Sequence, residues 1–211
     1  MQSGAGAPAR VLELLDEARR RRLLGPGDVG AQAAHALSFA AALGSFAEAR
    51  PVRVIDLGSG GGLPGLVLAA AWPESRWTLV EAREQRVEFL QWSVAELGWT
   101  ERVQVVHGRA EELARVPGQR AAYGLVTARS FGPPAVTAES AAPFLAVGGR
   151  LAVSEPPEGG DRWPPEGLAQ LGLVRVEAGA AAHRIAVLEQ STLCPERFPR
   201  RPAVTRRRPL F

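Results

Sequence analysis

The chain of 211 residues contains no lysine, one cysteine, one methionine, one tyrosine and three histidines. A single cysteine excludes an internal disulfide framework and a multi-cysteine metal site. The histidines, His35, His107 and His183, lie far apart and show no ligand spacing, so no metal is expected. No apolar run approaches the ~18 residues of a membrane-spanning helix, so no membrane partner is expected. The opening M-Q-S-G-A-G-A-P-A-R lacks the basic-then-apolar pattern of a secretory signal. A cytoplasmic, monomeric protein is the expectation. An apolar fraction of 46% suffices for a core, and the length suits one domain.

Without lysine, all 25 basic residues are arginine, and their placement is uneven. From Thr192 to Phe211 there are six arginines (Arg197, Arg200, Arg201, Arg206, Arg207, Arg208) against one acid, Glu196. That stretch carries a net +5 while the whole chain carries +3, so the remainder is slightly acidic. Residues 197–211 therefore read as a basic C-terminal arm whose arginines bind RNA. Pro199, Pro202 and Pro209 prevent a regular helix throughout, which suggests an extended arm. The competing reading is that Pro209-Leu210-Phe211 packs the terminus onto the domain.

The chain is organised around V-R-V-I-D-L-G-S-G-G-G-L-P-G, residues 52–65. A β-branched apolar run suited to a buried strand ends in Asp56 and four closely spaced glycines, and L-V-L-A-A-A-W then reads as an apolar helix. Glycines let a ligand approach the backbone. No Gly-Lys-Ser/Thr follows, so a P-loop is excluded. An acid before the glycines would repel a pyrophosphate but suits a cationic amino group. Asp-x-Gly-x-Gly-x-Gly accordingly resembles motif I of class I S-adenosylmethionine (AdoMet) methyltransferases.

Around this centre, residues 8–24 read as an amphipathic helix, and Asp28 caps a second, alanine-rich helix to about Phe46. Residues 1–50 form an N-terminal helical extension and residues 51–196 a core. Strands are expected at 76–80, 103–107, 123–128, 150–154, 174–176 and 184–188, and helices at 84–99 and 133–146. Such alternation implies an α/β fold with a mostly parallel, doubly wound, seven-stranded sheet. Glu81 ends the second strand, where an open α/β sheet presents an acid to ribose hydroxyls. Candidate cofactor residues are thus Asp56, Gly58, Ser59, Gly60 and Gly62 in the turn and Glu81 with Ala82. Ala110 and Glu111 follow the third strand, where their backbone could read an adenine edge. Arg129 and Phe131 follow the fourth strand and are the candidate catalytic pair. Phe131 could stack on a base or simply pack at a helix start. Cys194 lies near the tail, where a passive thiol is the better reading than a nucleophile.

Successive segments, D-L-G-S-G-G-G-L-P-G, V-E-A-R-E-Q-R-V-E-F-L, G-R-A-E-E-L and V-T-A-R-S-F, resemble those of the small-subunit ribosomal RNA methyltransferase G family, also called the glucose-inhibited division protein B family. The ending F-P-R-R-P-A-V-T-R-R-R-P-L is similar too. The resemblance implies a Rossmann-like class I fold and AdoMet as cofactor. It implies methylation at N7 of one guanosine in 16S ribosomal RNA, with ribosomal RNA or a small-subunit precursor as partner. It also implies cofactor contacts at Gly58, Leu63, Ala110, Glu111 and Arg129. The chain departs from the family where Gly124 replaces a usual Asp, where Ser154-Glu155 replaces a usual Lys-Gly, and in a compressed N-terminal region. Glu155 in particular would repel phosphate near an acceptor pocket. Two other functions stay open on these grounds: a small-molecule methyltransferase, and a non-catalytic AdoMet- or RNA-binding homologue.

Overall fold

A computed structural model describes residues 7–44, 46, 53–157, 162–178 and 184–211. His183 and part of the N-terminal extension fall outside the described residues. Seven strands form one sheet in the order β3-β2-β1-β4-β5-β7-β6. They are β1 (Arg53–Leu57), β2 (Arg76–Glu81), β3 (Val103–His107), β4 (Tyr123–Ala128), β5 (Leu145–Ser154), β6 (Leu173–Val176) and β7 (Ile185–Gln190). The first five are parallel, and β7 runs antiparallel between β5 and β6. Chain order reverses direction at β1, where β4 lies on the other side of β1 from β2. Ligands bind at such switch points, beyond the carboxyl ends of the strands.

Both faces of the sheet are covered, which is why β1 is buried after its first residue. One face carries α1 (Ala9–Arg20), α2 (Val29–Leu43), α3 (Gly65–Ala71) and α4 (Glu84–Glu96). Asp28 caps α2 by accepting from the Ala31 N–H at 2.7 Å, as its sequence context predicts. The arginine-rich end of α1 is a solvated face. Arg19, Arg20 and Arg21 pair with Asp16 and Glu17 one turn earlier.

The opposite face carries α5 (Ala110–Leu113), α6 (Pro134–Ala141), a 3₁₀ turn at Ala142–Phe144, and α7 (Pro165–Ala169). The C-terminal segment also packs on this face, and here the structure corrects the extended arm. Pro202–Arg207 forms a short helix, α8, with Pro202 at its first turn. Phe198 is buried, and the Phe211 ring packs tilted against Trp163, at 59° with ring centroids 6.4 Å apart. Arg120 donates to the carbonyls of Cys194 (3.1 Å) and Phe198 (2.8 Å). The physical reason lies on α6. Glu139 is fully buried there, and a buried carboxylate requires donors. Arg200 supplies them through its backbone N–H at 2.7 Å, Nε at 2.9 Å and Nη2 at 2.6 Å, and the Thr205 hydroxyl adds a fourth at 3.1 Å.

Candidate active site

The glycine turn is held against the end of β2. Gly58 and Ser59 both donate their N–H to the Val80 carbonyl, at 2.9 and 3.0 Å, and Gly62 donates to Ser59 O. Gly60 donates to Oε2 of Glu81 at 3.0 Å. Four amides of the turn are thus occupied within the chain. A dinucleotide-type turn would instead leave them for a pyrophosphate. Gly58 has φ 69°, and a Cβ there would meet the Phe131 ring at 3.0 Å. The glycine therefore permits both a left-handed turn and close approach of the ring.

Glu81 is the hub. Its Oε1 accepts from the N–H groups of Ala82 (2.8 Å) and Arg83 (2.9 Å), and Arg86 stands 3.6 Å from Oε2. Three of the roughly four acceptor positions of a carboxylate are filled, and one on Oε2 remains for a ligand hydroxyl. The acid that the sequence assigns to the ribose hydroxyls thus keeps room for one of them.

Beyond these strand ends lies a cavity of about 940 Å³. Among the sequence candidates it brings together Gly58, Glu81, Ala82, Ala110, Glu111 and Phe131. The N–H groups of Ala110 and Glu111 have no partner among the described residues, so they are available to a ligand's acceptor atoms. Of the tail candidates the cavity also includes Arg200 and Arg206, and the remaining cofactor and catalytic candidates do not line it. Ser59 is buried, and its hydroxyl donates to the Asp56 carbonyl at 3.1 Å. Leu63 is 5% exposed and belongs to the core on the α1–α4 face, while Gly62 packs against Leu66.

Asp56 lies beneath the turn, fully buried. Its Oδ1 accepts from Thr127 Oγ1 at 2.7 Å, joining β1 to β4, while Oδ2 lacks a hydrogen bond of ordinary geometry. Burial pushes the carboxyl up to about 6, against the lowering influence of Thr127, Ser59 and the nearby Gly65 N–H. The direct contact with a cationic amino group expected of it is not what the structure presents.

Arg129 is also turned away from the cavity. Its Nη2 donates to Gln32 Oε1 of α2 at 3.0 Å, and Nη1 is buried without a hydrogen-bond partner among the described residues. Burial lowers its pKa below the ordinary guanidinium value, with Asp56 opposing. Ser130 explains the divergence. It adopts φ 53°, a strained conformation for a residue with a side chain. That turn sends Arg129 towards α2 and Phe131 towards Gly58. Phe131 therefore lines the cavity and Arg129 does not, so the structure does not bring the candidate pair together.

Sequence reasoning named Arg200 and Arg206 only as residues of an extended arm and missed the other four arginines around the rim. Arg83, Arg86 and Arg109 stand at one end of the cavity, and Arg162, Arg200 and Arg206 at the other. The two departures also have places. Gly124 lies at the start of β4, four residues or roughly 13 Å before Ala128 at the cavity end. Glu155 accepts from Arg162 Nη1 at 3.3 Å and from the Trp163 indole at 3.1 Å, so its charge is matched. Burial pushes the Cys194 thiol up to about 11, which agrees with a passive role. Among the described residues no group of three His, Cys, Asp or Glu side chains is placed to hold a metal, and no helix is long and apolar enough to cross a membrane.

Comparison with known proteins bears on this geometry. Residues 12–154 match the model of the family described as rRNA small subunit methyltransferase G. The chain is 32% identical over 166 residues to the Ribosomal RNA small subunit methyltransferase G of Caldanaerobacter subterraneus, an alignment spanning 75% of this chain and 69% of that one. It is 33% identical over 189 residues to the protein of the same name from Symbiobacterium thermophilum, spanning 83% and 77%. Among solved structures, a methyltransferase from Geobacter sulfurreducens superposes with a TM-score of 0.60 at 18% identity, over 89% of this chain and 93% of that one. That likeness concerns the fold, which is the class I methyltransferase fold.

Proposed function

The chain belongs to the rRNA small subunit methyltransferase G family, and we propose that it methylates N7 of a guanosine in small-subunit ribosomal RNA, with AdoMet as donor. AdoMet supplies an electrophilic methyl group on a sulfonium. The residues present suit it. The glycine turn has spent its amides internally and offers no phosphate cradle. Glu81 keeps one acceptor position for a ribose hydroxyl, and the free N–H groups of Ala110 and Glu111 suit an adenine edge.

One observation carries the choice of N7. Among the described residues the cavity lining holds no His, Cys, Asp, Tyr or Lys, and its acids are Glu81 and Glu111. Glu81 is engaged by three backbone amides. Glu111 lies on α5 after β3, three strands from the β4 end that leads to Phe131. An exocyclic amine or a hydroxyl acceptor must lose a proton, and beside Phe131 the described lining offers no carboxylate to take it. Guanine N7 presents a bare lone pair, so placing donor and acceptor in line supplies the catalysis. Phe131 gives an apolar face against which the base can stack. The rim arginines give the cavity the sign that a polyanion requires.

The departures that pointed to a small-molecule substrate lose their weight, because Gly124 is remote from the cavity and Glu155 is paired with Arg162. The test uses small ribosomal subunits and deproteinised 16S RNA from a strain lacking the gene. The purified chain and isotopically labelled AdoMet are added, and the RNA is digested for nucleoside mass spectrometry. Labelled 7-methylguanosine is the expected product. Label in another nucleoside, or none in either RNA, would overturn the reading.

A further inference from the structure

We propose that the end of the cavity walled by the C-terminal segment is a phosphate subsite, in which Arg162 and Arg206 hold a phosphodiester flanking the acceptor nucleotide. This rests on the RNA-methylating reading above. The six tail arginines are not equivalent. Arg200 is spent on Glu139. Arg197 lies over the Phe198 ring, and Arg201, Arg207 and Arg208 are exposed outside the cavity. Arg206 is the one tail arginine that lines the cavity and has no carboxylate partner among the described residues.

Arg162 enters the same end from the connection between β5 and α7. Glu155 orients it at 3.3 Å, leaving its side chain a third exposed. Both flanks of this end are fixed. Glu139 clasps the segment that leads into α8, and Trp163, anchored by Glu155, meets Phe211. The two guanidiniums are thus presented on separately anchored walls of one cavity. Guanidinium groups match phosphate oxygens in bidentate fashion, and a phosphodiester is the anion an RNA acceptor brings on either side of its base. The volume, about 940 Å³, lies near the top of the ~300–1,000 Å³ range of small-molecule pockets, so a nucleotide has room beside a cofactor.

The test compares wild type, Arg206→Ala and Arg206→Lys in steady-state methylation of small ribosomal subunits, with calorimetric titration of AdoMet and a melting control. Loss of a charge-assisted contact predicts a KM for RNA raised about tenfold or more in Arg206→Ala, with kcat and AdoMet affinity within about twofold of wild type. Arg206→Lys restores part of the loss, since it keeps the charge without the bidentate fork. A wild-type KM in a folded Arg206→Ala would overturn the subsite and leave the methyltransferase reading standing. An equal loss of AdoMet affinity would make Arg206 a cofactor residue and also overturn it. Absence of methyl transfer to RNA by the wild type would overturn both.

Discussion

The clasp between Glu139 and Arg200 supports a prediction with an internal asymmetry. Glu139 is fully buried, whereas the Arg200 side chain is 24% exposed. Removing one partner of a buried ion pair costs about 3–5 kcal/mol, because the other charge stays buried and alone. Glu139→Ala frees a guanidinium that can turn to water, so its cost is expected near the low end, about 3 kcal/mol. Arg200→Ala strands the carboxylate with only the Arg200 backbone N–H and the Thr205 hydroxyl, at 2.7 and 3.1 Å. Its cost is expected nearer 5 kcal/mol. The double variant should be milder than the sum, since neither charge remains. For a chain of this size, 3 kcal/mol corresponds to a drop in Tm of about 6–12 °C. The segment can also undock locally, which limits the global loss to the docking energy of residues 200–211. Urea denaturation should therefore be paired with limited trypsin digestion at Arg206 and Arg207. Undocking predicts faster cleavage there in both single variants. An Arg200→Ala cost equal to or below that of Glu139→Ala, or trypsin resistance unchanged in both, would refute this account of the tail.

Gly58→Ala places a Cβ at φ 69°, 3.0 Å from the Phe131 ring. The left-handed conformation alone costs roughly 1–2 kcal/mol, so denaturation should show at least that loss, together with weaker AdoMet binding by calorimetry. For Asp56, the folded-state pKa of about 6 lies above the ordinary 3.8. An acid with a raised pKa contributes stability that is fully present below its unfolded value and is lost as pH rises through the folded one. The stability difference between wild type and Asp56→Asn should therefore fall by up to about 3 kcal/mol from pH 4 to pH 6.5, read from urea curves across that range. A flat difference would refute the burial argument.

Strand positions were legible because short runs rich in valine and other apolar residues stand between turn and helix signals. The expected spans 103–107 and 123–128 are those observed. The helix after β4 was overextended, since A-A-P-F-L-A-V continues the apolar composition while the backbone changes to a 3₁₀ turn and then to the start of β5. The place of Glu81 at the cavity end of β2 was legible from its spacing after the turn, which strand and helix lengths fix. The direction of Arg129 was not legible, because it depends on one backbone angle at Ser130 and on Gln32, which lies 97 residues away.

The tail illustrates why charge composition alone misplaces a segment. Six arginines read as a solvated, RNA-facing arm only if none has a buried partner. A signal to the contrary was present in P-A-V-T-A-E-S-A, where a single acid stands among small residues on a helix that must face the sheet. Such an acid must be neutralised from another part of the chain. The arginine-rich terminus is a ready source, and once Arg200 is spent there the segment is drawn onto α6 and becomes a wall of the cavity. The same reasoning applies to Glu155. As a bare anion beside an acceptor pocket it argues against a phosphate-bearing substrate. As the partner of Arg162 it fixes a cation at the cavity rim, so a departure that pointed away from RNA instead positions a group suited to bind it.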